Sequence, residues 1–591
     1  MCGIHLIWGK GANKIAMGDL MGPAAHRGPD QEAAFSPWPG IWVGVNRLKI
    51  INPGADADQP FWSPDGDYFL IWNGEIYNYK DLGRQLQKMG IDLITNSDTE
   101  VLMHWLRLFG IKGLEKLEGM FSLILGSTIE KSILVARDKT GEKPLFYAQD
   151  PDRLIISSDT RGIRKVKPSA LDSEQLSNYF YLRAPLPGKT FFRGIREWKP
   201  DRSSTIYQHS TFRWNSIGSP TKNKVTPNAE EFKTRLESAV QNQFHADVPV
   251  GLQLSGGADS SLLYALWYKQ TGTKLPVYTI GLEDTYQKKY SDSESAKRFL
   301  QQFPADHHLI NMNQEKFLAN WDEYVKSIDL PVGDSAGFLT WMIGKAARKE
   351  VKVLISGAGA DELWGGYQRH TAFDFYLKRK GLLLQLNTLA KKLPLSRQWI
   401  KFFSAIHPDS RRTFINFSSL MPVPKDLFGD YERLFPEKEF SYKDALAFDR
   451  HNYLVQDVLR IQDNALMAHG IEGRSPYLDS GMIDLWNQVT NEEDLKGKVW
   501  IKGCLEDLDL GWIAKRKKFG FGLPLEEWLS IDGPVSKRVF ATLKNFEKTH
   551  GEFMPHEMRE LSKNPEQAAK LHFLILYNLF LLADWAKLNE L

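Results

Sequence analysis

A chain of 591 residues with 42% hydrophobic and 25% charged side chains is long enough for two or more globular domains. Its net charge of +3 supplies no strong overall field, so neither nucleic acid nor an acidic membrane is an expected partner. With only two cysteines, Cys2 and Cys504, no disulfide framework is expected and a reducing, cytoplasmic setting is.

In chain order, the first feature is chemical. Met1-Cys2-Gly3-Ile4 has a small second residue, so removal of Met1 would leave Cys2 at the N-terminus. A thiol of pKa about 8.5 and an α-amine of about 7.7–8.0 would then share one residue. Near pH 7 part of that amine is neutral and can take the thiol proton, which puts nucleophile and general base together. A cysteine at position 2 can also be incidental, and a retained Met1 would block the amine. The N-terminus lacks a charged segment followed by a long apolar run, so no signal peptide is expected.

Short strands are expected at Ile41 to Val45, Phe69 to Trp72, Phe121 to Gly126, Ile133 to Arg137 and Leu154 to Ser157. Helical patterns cover Tyr79 to Met89 and Thr99 to Phe109. This mix predicts stacked antiparallel sheets with helices outside. Ser216 to Asn228 is polar and reads as a linker, after which Glu230 to Phe244 is an amphipathic helix.

The second half opens on Ser255-Gly256-Gly257-Ala258-Asp259-Ser260-Ser261, between the apolar run Val248 to Leu254 and the helix start Leu262 to Trp267. Glycines that turn sharply, serine hydroxyls and a helix N-terminus make an anion cradle, most plausibly for phosphate. Asp259 beside phosphates implies a bridging Mg²⁺. No Gly-Lys-Ser/Thr follows, so this is not an ordinary P-loop. A plain Gly/Ser turn before a helix is the alternative. Further strands are expected at Leu275 to Ile280 and Val351 to Ile355, with helices at Ser293 to Phe303 and Gln314 to Asp329. Val351 to Ile355 runs into Ser356-Gly357-Ala358-Gly359-Ala360-Asp361-Glu362. Ligands of parallel sheets bind at the carboxyl ends of strands, so Asp259 and Asp361 could share one Mg²⁺–phosphate site. Leu571 to Ala583, interrupted by Asn578, is too short to span a bilayer and reads as a buried C-terminal helix.

Cys2-Gly3-Ile4, His26-Arg27-Gly28-Pro29-Asp30, Asn73-Gly74-Glu75-Ile76-Tyr77-Asn78 and Ser97-Asp98 resemble the glutaminase domain of class II glutamine amidotransferases. The resemblance implies a four-layer α/β sandwich of the N-terminal-nucleophile type over 1–210. It implies that Cys2 attacks the side-chain amide of glutamine, with Asn73 and the N–H of Gly74 as oxyanion donors worth about 2.7–4 kcal/mol each. Arg47 would pair with the glutamine α-carboxylate and Ile51 would lie in the same pocket. Glu75 and Asp98 would hold the α-amine, although either could merely cap a helix.

Residues 229–591 resemble the synthetase domain of the asparagine synthetase family, an ATP pyrophosphatase of the PP-loop type with a parallel sheet flanked by helices. His469-Gly470-Ile471-Glu472-Gly473-Arg474-Ser475-Pro476-Tyr477-Leu478-Asp479 and Lys518-Phe519-Gly520-Phe521-Gly522-Leu523-Pro524 continue that likeness. It implies ATP contacts from Gln253, Ser255, Gly256, Gly257, Asp259, Ser260, Ser261, Ile280, Ser356 and Gly357. Asp259 and Asp361 would hold Mg²⁺, and Lys502 and Lys518 would meet phosphates or an acyl-adenylate. The expected substrates are ATP, glutamine and a carboxylate, by default aspartate; a homodimer is one assembly the resemblance allows. Ala358 departs from the family, which usually has an acid there, and Ser158-Asp159 replaces the common Ser-Glu. Ala358 keeps open another acceptor, such as a uronic acid or a peptide carboxylate, and a regulatory protein that has lost the synthetase step. A β-lactam synthetase-like cyclase is disfavoured by the intact Cys2 set.

Overall fold

The computed structural model describes residues 2–207, 212–218, 226–283, 293–390, 396–437, 439–517 and 520–591. Part of the expected linker, 219–225, lies outside them.

The first half is two six-stranded antiparallel sheets packed face to face. One runs Ile195–Glu197, Phe146–Asp150, Arg153–Ser157, Gly3–Gly9, Ile41–Arg47, Gln31–Phe35. The other runs Asn215–Ser216, Arg202–Tyr207, Ser132–Arg137, Gly119–Ser127, Tyr68–Ile76, Phe61–Trp62. Alternation builds the sandwich. Cys2, Ile4, Leu6 and Trp8 enter the inter-sheet core with Val43, Val45, Phe69, Ile71, Ile124 and Val135. Each such aliphatic side chain contributes about 1.5–3 kcal/mol on burial. On the outer face of the second sheet, Leu70, Trp72 and Leu123 pack against helices Tyr79–Lys88 and Asp98–Gly113. On the other side, Ile7 and Ile155 meet Met17 and Leu20 of helix Lys14–Met21. The layers are therefore helix, sheet, sheet, helix.

The second half carries a five-stranded parallel sheet in the order Asp306–Met312, Pro276–Leu282, Val250–Gln253, Val353–Ile355, Glu472–Arg474. Each expected strand here is buried on both faces, which is why it reads as a continuous apolar run. Helices Ala229–Gln243, Ala258–Thr271 and Ala336–Ala347 cover the faces. Helix Pro565–Leu588 is long and apolar enough to cross a membrane, but Leu576, Leu579, Phe580, Leu581 and Trp585 are buried against protein, as a core helix requires.

The two halves are joined by buried charge. Arg27 grips Asp463 through two bonds of 2.7 and 2.8 Å. Arg137 and Arg460 both pair with Glu197, at 2.9 and 3.1 Å, and Gln456 donates to the same carboxylate at 2.6 Å.

Candidate active sites

Gly3 pairs with Asn46 across neighbouring strands, which brings Cys2 and Arg47 to the same end of the first sheet. Asn73, Gly74 and Glu75 lie on the facing sheet, in strand Tyr68–Ile76. The backbone N–H of Cys2 donates to Asn73 Oδ1 at 2.7 Å. That bond fixes the amide so that Asn73 Nδ2 is the free end. Nδ2 is buried with no partner among the described residues, a donor held ready for an oxyanion. At Gly74 a Cβ would lie 2.0 Å from Met120 O, so no side chain fits. Burial raises the Cys2 thiol, so nucleophilic attack needs a base to remove its proton.

Arg47 Nη1 donates to Asp58 at 2.6 Å and to Gly54 O at 3.3 Å; Nη2 donates to Asn52 O at 3.0 Å and Ile51 O at 3.4 Å. Ile51 thus acts here through its carbonyl. Asp58, missed at the level of sequence, occupies part of the fork that a glutamine carboxylate would take.

Glu75, Asp98 and Glu472 are all buried; Arg474 pairs with Glu75 and Glu472, while Arg47 is the cation that acts on Asp98. Arg474 lies 3.4 Å from Glu75 and donates Nε to Glu472 at 2.6 Å. Burial would raise Glu472, but Arg474 together with further positive charge, Lys143 included, holds that carboxyl low. Burial and then the Glu472 charge push Glu75 well above the usual range. Asp98 is pushed up to about 7, chiefly by burial. Ser97, not Asp98, caps the helix, while Asp98 accepts the N–H of Ile76 at 3.4 Å. Glu75 and Asp98 are buried carboxyls pushed up from their usual range, and an α-ammonium beside them would favour their charged forms.

The parallel sheet presents the second site. Strand Val250–Gln253 leads into the Ser255–Ser261 loop, where Gly256 has φ 70° and only glycine fits easily. Ser255 Oγ accepts Gly257 N–H at 3.2 Å and lies 3.1 Å from Ser260 Oγ. Ser261 Oγ and Gln253 Nε2 are buried without partners among the described residues. Ile280 sits near the carboxyl end of the adjacent strand and is buried, at 8% exposure. Ser356 Oγ donates to Gln462 at 2.7 Å, and its N–H donates to Arg474 O at 2.9 Å. The loops touch closely: a Cβ on Gly357 would be 2.8 Å from Asp259 Cβ.

Asp259 and Asp361 are brought together, and Lys498 stands between them. Its Nζ lies 2.8 and 2.7 Å from the Asp259 oxygens and 2.5 Å from Asp361 Oδ1. Burial would lower Lys498, but the two carboxylates overcome it and raise the amine above its usual value. Lys502 is one helical turn further on and exposed. Sequence reasoning missed Lys498; in the structure Gly497 and Lys498 both take left-handed backbone, φ 59° and 60°, at the start of the helix. Lys518 lies outside the described residues.

The donor set suits Mg²⁺. Two carboxylates converge as hard oxygen donors, and a lysine on a flexible stem can turn toward phosphate when a divalent ion replaces it. Among the described residues no group of three or more His, Cys, Asp or Glu side chains forms a metal cage, so phosphate oxygens and water would complete the shell.

Beside the second loop, Ala358 contributes only its N–H, to Ser356 Oγ at 3.4 Å. The nearest acids on the same segment are Asp361, engaged by Lys498, and Glu362. Tyr367 OH donates to Glu362 at 2.5 Å, and burial followed by the Asp361 charge pushes Glu362 up to about 7. A void of about 20 Å³ lies at the junction of the halves, bordered by Arg27, Arg137, Phe146, Leu330, Arg460 and Asp463.

Comparison with known proteins agrees with this two-site arrangement. A family model for the glutamine amidotransferase domain matches residues 1–214, and one for asparagine synthase matches 231–587. Asparagine synthetase [glutamine-hydrolyzing] 1 of Bacillus subtilis (strain 168) is 27% identical over 530 residues, covering 85% of this chain and 83% of that protein. Amidase chry2 of Gibberella zeae is 27% identical over 522 residues, covering 79% and 77%. Among solved structures, glutamine phosphoribosylpyrophosphate amidotransferase from B. subtilis aligns over 60% of this chain and 82% of that one, with 15% identity and a TM-score of 0.30.

Proposed function

We propose, from the premise that this chain belongs to the asparagine synthase family, that it hydrolyses glutamine at Cys2 and uses the ammonia to amidate a carboxylate activated by ATP. One observation supports joining the two chemistries. Strand Glu472–Arg474 belongs to the parallel sheet and bonds the second loop through Arg474 O, while its Arg474 side chain reaches Glu75 beside Cys2.

In this reading Cys2 Sγ attacks the amide carbon of glutamine after losing its proton to the freed α-amine. Asn73 Nδ2 and Gly74 N–H stabilise the oxyanion, ammonia leaves, and water releases glutamate from the thioester. Arg47 takes the α-carboxylate, in competition with Asp58. Glu75, Asp98 and Glu472 take the α-ammonium. At the second site the acceptor carboxylate attacks the α-phosphorus of ATP and pyrophosphate departs. A carboxylate is a poor electrophile, so the mixed anhydride is what makes amide formation possible. Asp259 and Asp361 would hold Mg²⁺, which supplies charge neutralisation for the phosphates. Lys498 turns from the aspartates to phosphate oxygen. Ammonia attacks the acyl-adenylate, AMP leaves, and Glu362 accepts the proton that an acid at position 358 takes elsewhere in the family. Aspartate is the default acceptor. Ala358 favours a second reading, with the same chemistry on a uronic acid or peptide carboxylate.

The test is a pyrophosphate-release screen across carboxylic acids with glutamine or ammonium as donor. One acid should release pyrophosphate with either donor. Cys2→Ala should abolish glutamine use and keep ammonium use. Failure of every acid to release pyrophosphate, alongside intact glutaminase, would defeat the synthetase reading.

A further inference from the structure

Helix Ala360–Trp364 follows the second loop and ends at Gly365, whose φ of 66° lies in the left-handed region. A Cβ there would come within 2.2 Å of Tyr442 Oη, so only glycine allows the chain to reverse at this point. The reversal brings Tyr367 back onto the helix: its OH donates to Glu362 Oε1 at 2.5 Å. Burial pushes the Tyr367 phenol well above its ordinary range, so it keeps its proton and donates.

The ring of Tyr367 is itself held. The Arg369 guanidinium stacks 4.0 Å from its centroid and 4.3 Å from that of Tyr453, and Tyr453 meets the Tyr367 ring edge-on at 5.6 Å. Arg369 Nε donates to Asp449 Oδ2 at 2.8 Å, and His370 Nε2 lies 2.7 Å from the same oxygen. Tyr367 N–H donates to His370 Nδ1 at 3.3 Å. Burial lowers His370, so its ring is neutral, donating from Nε2 and accepting at Nδ1. One fully buried carboxylate, Asp449, thus fixes both the backbone and the ring of Tyr367. Glu362 is buried too, and the charges around it are of one sign. Asp361 and Asp449 add to the rise that burial causes, whereas the Tyr367 hydrogen bond opposes it. Asp457, from Leu454–Val458, is within electrostatic reach of Glu362. The turn Glu492–Leu495 also packs on helix Ala360–Trp364, but its acids bond elsewhere: Glu492 to Lys443 N–H, Glu493 to Lys496 and Asp494 to Asn491.

We propose that Tyr367 is a positioning residue for the amide-forming step: its hydroxyl orients Glu362 to take the proton that ammonia sheds, and the Asp449–Arg369 clamp holds its ring. This role rests on the reading of Glu362 as the proton acceptor. In that step the ammonia nitrogen bonds the acyl carbon, the bond from that carbon to the AMP oxygen breaks, and a proton passes from nitrogen to the Glu362 carboxylate. Tyr367 keeps its own proton throughout. A hydrogen bond donated to the charged form of an acid favours that form. Losing the hydroxyl therefore raises the pH at which Glu362 becomes able to accept a proton.

The experiment follows ammonium-dependent amide formation by the full chain between about pH 6 and 9. It uses ATP, Mg²⁺ and the acid that the pyrophosphate screen selects, L-aspartate by default. Pyrophosphate exchange and glutamate release run beside it as checks on adenylation and folding. Tyr367→Phe removes one oxygen and keeps the ring. Its rising limb should move up by about one pH unit, so that the rate falls about tenfold near pH 6 and recovers near pH 9. Arg369→Lys keeps a charge on Asp449 and loses the planar stack, so its limb should move the same way by a smaller amount. Both variants should keep pyrophosphate exchange and glutamate release. A purely structural role would lower the rate by one factor at every pH, and that result would overturn the proposal. So would an unmoved or downward limb, or a parallel loss of pyrophosphate exchange. An inactive Glu362→Gln beside an unaffected Tyr367→Phe would remove the role of Tyr367 and keep that of Glu362. A fully active Glu362→Gln, or no pyrophosphate release with any acid, would remove both.

Discussion

Replacing Lys498 with methionine separates its two roles. The side chain is buried and makes three contacts of 2.5–2.8 Å with two carboxylates that are themselves largely covered. Methionine keeps the stem and removes the charge, leaving Asp259 and Asp361 facing each other. Breaking a buried pair by removing one partner costs about 3–5 kcal/mol. With a urea dependence of about 1–3 kcal/mol per molar, the corresponding transition should move down by about 1–5 M. Because the folded-state pKa of Lys498 is raised, its contribution is fully present below the unfolded lysine value and fades only as pH climbs through the folded one. The loss should therefore look the same at pH 6 and pH 8. Mg²⁺ should recover part of it: at ten times its Kd, binding returns about 1.4 kcal/mol. Pyrophosphate release should fall about a hundredfold or more, as for loss of an electrostatic stabiliser, while glutamate release stays unchanged. Urea denaturation with and without Mg²⁺, beside the two activity assays, reads all of this. Unchanged stability, no Mg²⁺ recovery, or equal loss of both activities would refute the reasoning.

Three further outcomes follow from the same geometry. Asp98, pushed up to about 7, is neutral below that value and holds an ammonium only above it, so the KM for glutamine should fall as pH rises through about 7; Asp98→Asn should raise KM about tenfold and flatten that limb, and a retained limb would assign it elsewhere. Glu362 accepts a proton only when ionised, so ammonia-dependent amide formation should climb through about pH 7. Glu362→Gln should cut it about a hundredfold or more without stopping adenylation, measured by pyrophosphate exchange. Asp58→Asn should free the Arg47 fork for the glutamine carboxylate and lower KM by about three- to tenfold, provided the 51–54 carbonyls still hold the guanidinium; a higher KM would make Asp58 part of the pocket.

Much of the fold was legible because its signals are local. Strand Ser132–Arg137 and helices Tyr79–Lys88 and Ala229–Gln243 fall within a few residues of the expected spans, since each is set by alternation or helical spacing. The cradle around Asp259 was legible for the same reason: strand, glycines and helix start are contiguous. What the chain could not announce is what comes together from far away. Lys498 lies 239 positions from Asp259 yet closes on it at 2.7 Å. Arg474 crosses from the edge of the parallel sheet to Glu75, and Arg27 finds Asp463. Lys498 and Lys502 look equally basic in sequence, and only the folded chain shows Lys498 between the two aspartates. Local periodicity and turn chemistry specify elements and loops. Charge pairing between elements depends on packing, because a buried carboxylate is stable only where the folded chain delivers its counter-charge.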